Sequence, residues 1–170
     1  MTQSDKDLTK FFVLIGAGYF LILRPIFLKL GVEKTEKEKE TKETIEKVDA
    51  LKPSQNPFTG RTFLANIPAK TKYVLLTPKS AQGLAKKLRE AFTIFGDNET
   101  QAIGIFRQLK NQAQVAQLTD VFFKTYTLDL FSFLKNGTPY GGFLTTAFSG
   151  LNDKELVQII NIINKLPKYR

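Results

Sequence analysis

Hydrophobic and polar positions alternate in three different ways along the chain. Residues 11–30, FFVLIGAGYFLILRPIFLKL, are apolar all round and carry only two charges, Arg24 and Lys29. Residues 33–49, EKTEKEKETKETIEKVD, interleave Glu with Lys and present nothing apolar before Ile45. From residue 79 onward apolar side chains recur every three or four positions, the repeat of amphipathic helices. This patterning predicts a mainly α protein: a tail (1–10), a transmembrane anchor (11–30), a charged helical stalk (31–52), a short irregular β or extended segment (53–78) and a compact helical domain (79–170).

The anchor rests on length and hydropathy. A bilayer core about 30 Å thick takes roughly 20 mostly apolar residues in a helix. The uninterrupted apolar part, residues 11–23, falls short of that, so Arg24 and Lys29 must lay their stems along the lipid and reach the headgroups. Phe11, Phe12, Leu14, Ile15, Tyr19, Phe20, Leu23 and Phe27 supply the apolar surface, and Pro25 kinks the last turns. A cleaved signal peptide would end in small residues, whereas this run ends Leu21-Ile22-Leu23-Arg24-Pro25. A buried core helix is the competing reading, weakened by the heavily charged neighbour and by apolarity on every face. Arg24 and Lys29 lie at the C-terminal end of the anchor and Lys34, Lys37 and Lys39 follow it, whereas only Lys6 and Lys10 precede it. The positive-inside rule therefore expects the C-terminal domain in the cytoplasm, with the anchor in a bacterial inner membrane or a virion membrane.

In the stalk, opposite charges stand four apart at Glu33–Lys37, Lys34–Glu38, Glu38–Lys42, Lys39–Glu43 and Glu43–Lys47. Each pair adds a few tenths of a kcal/mol to a helix. A partial helix and a self-avoiding linker are the two readings, the helix being preferred. Ile45, Val48 and Leu51, three apart, would dock its last turns on the domain.

Residues 53–78 hold four of the seven prolines and no acidic residue, which rules out a long helix. Residues 61–67 and 72–76 suit an irregular hairpin or an extended arm. Phe58, Phe63 and Tyr73 beside Arg61, Lys70 and Lys72 form a candidate interaction set, a stacking surface for single-stranded nucleic acid. Packing of those aromatics onto the following domain is favoured over it, because no recognised nucleic-acid module accompanies them.

The domain itself reads as short helices with legible caps. The first, residues 80–92, aligns Leu84, Leu88 and Phe92. Asp97 or Asn98 starts the second, with Ile103, Phe106 and Leu109 inward. The third, residues 112–125, carries Val115, Leu118 and Phe122. The fourth, residues 128–134, stops at Asn136-Gly137. Asn152-Asp153-Lys154-Glu155 opens the last like a capping box, with Leu156, Ile159, Ile160, Ile163 and Leu166 on one stripe and Pro167 as terminator.

Composition narrows the chemistry. The chain has no cysteine and no histidine, so disulfides, thiol catalysis, structural zinc and His-based acid–base work are excluded. Glu90, Glu99, Asp120 and Asp129 form no convincing acid–base pair, and no phosphate-binding loop is present. No catalytic residue, metal ligand or cofactor is expected. The net charge of +9 suits an acidic partner such as anionic lipid or nucleic acid.

Residues 88–134, LREAFTIFGDNETQAIGIFRQLKNQAQVAQLTDVFFKTYTLDLFSFL, resemble the annexin repeat. The likeness lies in Leu-x-x-Ala-Phe at Leu88, Gly-x-x-Glu at Gly96 to Glu99, the spacing of Ile103, Phe106 and Leu109, and Phe-x-x-x-Tyr-x-x-Asp-Leu from Phe122 to Leu130. Residues 150–169, GLNDKELVQIINIINKLPKY, are similar to the closing helix of small annexin-like domains in proteins of Bacteroidota and their phages. The resemblance implies a helical membrane-associated unit. It does not carry calcium binding over. The loop Thr93-Ile94-Phe95-Gly96-Asp97 lacks the family's first glycine, and the distal position near Lys135-Asn136-Gly137 has no carboxylate. The expected function is a non-enzymatic single-pass membrane structural protein, in its specific form a phage virion protein linking lipid to capsid. A bacterial inner-membrane scaffold is the alternative, and a membrane-tethered nucleic-acid-binding protein comes third. Expected partners are the lipid bilayer and proteins of a capsid or membrane complex, with self-association also compatible.

Overall fold

A computed structural model describes residues 36–93, 96–137 and 150–169. The predicted anchor lies outside these residues. Among the described residues no helix is long and apolar enough to cross a membrane. The chain divides into two compact units, Met1–Glu40 and Thr41–Arg170. Of the first, the described part is the exposed start of one helix, residues 36–40.

The fold is mainly helical. Helix α1 (Glu36–Asp49) makes most of the described part of the stalk helical, and its Glu43 and Lys47 carboxylate and ammonium lie 3.7 Å apart. Both side chains are well exposed, so the pair contributes only a few tenths of a kcal/mol. Ile45 and Val48 are buried, which places the end of α1 inside the second unit. Leu51 does not join them and stays 40% exposed. The reason is local: α1 stops at Asp49, and the Asn56 side chain donates to the Val48 carbonyl at 3.0 Å, turning the chain before a further helical turn can form.

The same Asn56 starts the next element. Its carboxamide oxygen accepts from the Phe58 N–H at 2.9 Å, and a 3-10 turn η1 (Pro57–Thr59) follows with Pro57 at its first position. Helix α2 (Arg61–Ala65) comes directly after. The expected hairpin is therefore corrected: residues 61–65 are helix, not strand. Gly60 makes the junction, with φ of +53° and the site of an added Cβ 3.0 Å from the Asp120 backbone nitrogen. A side chain there would be both strained and crowded.

Helix α3 (Pro78–Glu90) starts two residues earlier than its apolar pattern suggests, because Thr77 caps it and Pro78 occupies the first turn. Two-residue strands β1 (Phe92–Thr93) and β2 (Gly96–Asp97) pair antiparallel, Phe92 opposite Asp97. Asn98 then caps α4 (Glu99–Gln108), Asn111 caps α5 (Gln112–Tyr126) and Asp129 caps α6 (Leu130–Asn136). Helix α6 ends at Gly137, the terminator read from Asn136-Gly137; its φ of +73° is positive, but its ψ of −155° lies outside the left-handed helical region. In α7 (Asp153–Lys165) the capping box of Asn152 and Glu155 is complete in both directions.

Helix α5 is the centre. It packs on α3, η1, α2 and α6, while α4 pairs with α7. Ala113, Val115, Ala116, Leu118 and Phe122 are all fully buried, and Phe122 stacks against Phe133 of α6 with ring centroids 5.0 Å apart. Burying large aromatics of this kind contributes roughly 1.5–3 kcal/mol each before entropy is charged against it. The C-terminus is tied to the same helix: the Gln112 N–H donates to the Pro167 carbonyl at 2.9 Å, and its carboxamide donates to Ile163 at 3.2 Å.

Candidate functional site

The acidic residues weighed from the sequence each lie at a helix start or in an i,i+4 pair with a lysine. Glu90 lies 3.7 Å from Lys86, Asp120 pairs with Lys124, and Asp129 accepts from the Ser132 N–H at 2.7 Å as a helix cap. Glu99 opens the first turn of α4, where its charge suits the helix dipole. Among the described residues no three acidic, histidine or cysteine side chains come together as a metal site.

Within residues 53–78 the six candidate interaction residues separate into two groups. Phe58 and Phe63 belong to the interior. Phe58 sits between Phe131, at 4.9 Å between centroids, and Phe106, at 6.4 Å. Phe63, 1% exposed, meets the Tyr169 ring at 6.3 Å. Packing onto the domain, the reading favoured from the sequence, therefore holds for these two, and neither ring is open for a stacking surface. Arg61, Lys70, Lys72 and Tyr73 remain on the outside.

Residues 71–77 form an extended strap along α5, held by side-chain amides in place of a partner strand. The Asn111 and Gln114 carboxamides both donate to the Val74 carbonyl, at 3.1 and 3.0 Å. Gln117 then pairs with Leu76 twice, donating to its carbonyl at 2.9 Å and accepting from its N–H at 2.7 Å. The clamp is itself fixed. Asn111 accepts from the Gln114 N–H at 2.8 Å, and Gln114 accepts from the Lys110 N–H at 2.8 Å. Asn111 is fully buried and Gln114 nearly so, which makes these bonds costly to lose: a buried group left unsatisfied costs about 1–3 kcal/mol.

The clamp grips the strap's backbone and Leu76, which packs against the core. Its other apolar side chains face out. Val74 is 67% exposed, Leu75 40% and Tyr73 38%, an apolar tripeptide on the surface. Among the described residues the N–H groups of Tyr73, Val74 and Leu75 have no hydrogen-bond partner. Hydrophobic periodicity could not reveal the clamp, since it scores only apolar positions. The available signal was polar: Asn111, Gln114 and Gln117 stand three apart, uncharged amides at the cap and in the first turns of the helix.

No protein-family model, curated protein or solved structure matches the chain.

Proposed function

We propose that the chain is a non-enzymatic, single-pass membrane structural protein. Residues 11–30 cross a bilayer, and the helical unit serves as an interaction module beside it. The observation that carries the reading is that stretch itself: twenty residues with two charges, both in its C-terminal part, where their stems can reach a headgroup layer. The described helical unit adds support through what its polar groups do, which is capping, pairing and clamping.

In its narrower form the proposal is a virion protein of a membrane-containing bacteriophage that links lipid to capsid. The likeness of residues 88–134 to the annexin repeat, and of residues 150–169 to annexin-like domains of Bacteroidota and their phages, motivates that form. Flotation with lipid that survives high salt and is abolished by detergent supports a span, because salt removes attachment by charge alone. Mass spectrometry of density-fractionated particles tests the narrower form. Co-migration with virions supports it, whereas presence in host membranes and absence from particles replaces it with a cellular scaffold.

A further inference from the structure

The exposed strap coincides with an unusual distribution of charge. Residues 50–89 contain eight of the 25 basic side chains and none of the 16 acidic ones, leaving 17 basic against 16 acidic elsewhere. Nearly the whole excess of the chain is therefore concentrated in forty residues. Lys52, Arg61, Lys70, Lys72, Lys79, Lys86 and Lys87 are all exposed. Lys86 reaches Glu90, but Lys52, Arg61, Lys70, Lys72, Lys79 and Lys87 have no acidic partner among the described residues. Within this stretch Tyr73, Val74 and Leu75 are the exposed large apolar side chains besides Leu51.

We propose that residues 70–75 are a bilayer-surface docking site: Tyr73, Val74 and Leu75 enter the headgroup boundary of an anionic membrane while Lys70 and Lys72 contact its lipid phosphates. The inference rests on the bilayer reading above, which supplies the lipid, and adds the part of the helical unit that meets it. Three observations point to lipid as the occupant. The apolar side chains are flanked by cations without competing carboxylates, the complement of an anionic surface worth about 1 kcal/mol for each Lys near it. Two of the three are aliphatic, which dissolve in acyl chains but offer no ring for a nucleobase, and Tyr is a residue that favours the interface. The aromatics that could have made a stacking platform for nucleic acid, Phe58 and Phe63, are in the core. The amide clamp contributes the rigidity. By fixing the strap's carbonyls at Val74 and Leu76, it holds neighbouring side chains outward without a second strand, so little ordering entropy remains to be lost on docking.

The chain contains no tryptophan, so Tyr73→Trp introduces a single fluorophore at the surface position in question. The full-length variant is reconstituted in vesicles of phosphatidylcholine alone or with phosphatidylglycerol, and in the same mixtures carrying brominated acyl chains. Helical content by circular dichroism checks the fold. The expected result is a blue-shifted emission, quenched by brominated lipid, in the anionic vesicles and reduced in the neutral ones. Replacing Lys70 or Lys72 by Gln should lower the docked-to-undocked ratio about fivefold each. Water-exposed, unquenched emission in both lipids overturns the docking site even when high-salt flotation shows the chain inserted. Loss of flotation at high salt with a blue shift retained at low salt upholds the docking site and removes the span. An emission change produced by a single-stranded oligonucleotide and not by either vesicle overturns the lipid assignment in favour of nucleic acid.

Discussion

Two neighbouring stretches of similar composition meet opposite fates. Residues 57–65 and residues 71–77 both combine aromatic or aliphatic side chains with nearby cations, and neither contains an acid. The first becomes η1 and α2 and sends Phe58 and Phe63 into the core. The second stays extended, and Tyr73, Val74 and Leu75 remain at the surface. Composition does not separate them; the way the backbone is satisfied does. In the first stretch Asn56 and Gly60 set a compact turn whose peptide groups bond locally, so its side chains are free to aim at α5 and α6. In the second, Pro78 at its end limits the local helical alternative and the backbone bonds outward to Asn111, Gln114 and Gln117. The α5 face is then occupied by polar contacts, and apolar side chains are left pointing away.

The largest way to break this contrast is Phe58→Ala. A surface stacking residue could be truncated at almost no cost, whereas a ring packed between Phe131 and Phe106 should cost about 3–5 kcal/mol in chemical denaturation. Next comes Gly60→Ala, which forces a Cβ into a positive-φ position against the Asp120 backbone and should cost about 1–3 kcal/mol by the same measurement. Gln117→Ala removes both bonds to Leu76 and should cost about 2 kcal/mol, with limited proteolysis at Lys70 and Lys72 accelerated as the strap detaches. If proteolysis there is unchanged, the clamp does not hold the strap. The smallest effect belongs to Val74→Ser, at 67% exposure: thermal unfolding should move by less than about 0.5 kcal/mol, so any loss of membrane docking in this variant is not a folding defect.

Much of the helical unit was legible because its caps are chemical. Asn98, Asn152 with Glu155, and Gly137 mark ends by side-chain bonds or by a backbone conformation that few residues adopt. The apolar stripe of Leu156, Ile159, Ile160 and Ile163 is buried as its spacing predicts. What escaped was set by tertiary contact. A five-residue helix such as α2 is too short for a periodic signal and is held by its packing on α5 and by the burial of Phe63. Leu51 kept the right spacing but lost its helix to the Asn56 turn. The strap's place depends on side-chain amides some forty residues away, a pairing no local pattern carries.

Amide hydrogen exchange of the full-length chain, in nanodiscs containing phosphatidylglycerol and in detergent, tests the outward role of the strap most directly. The account predicts that peptides covering residues 70–76 exchange more slowly in the anionic bilayer, while those covering residues 57–65 exchange at the same rate in both. Equal rates across residues 70–76 in the two media would contradict it.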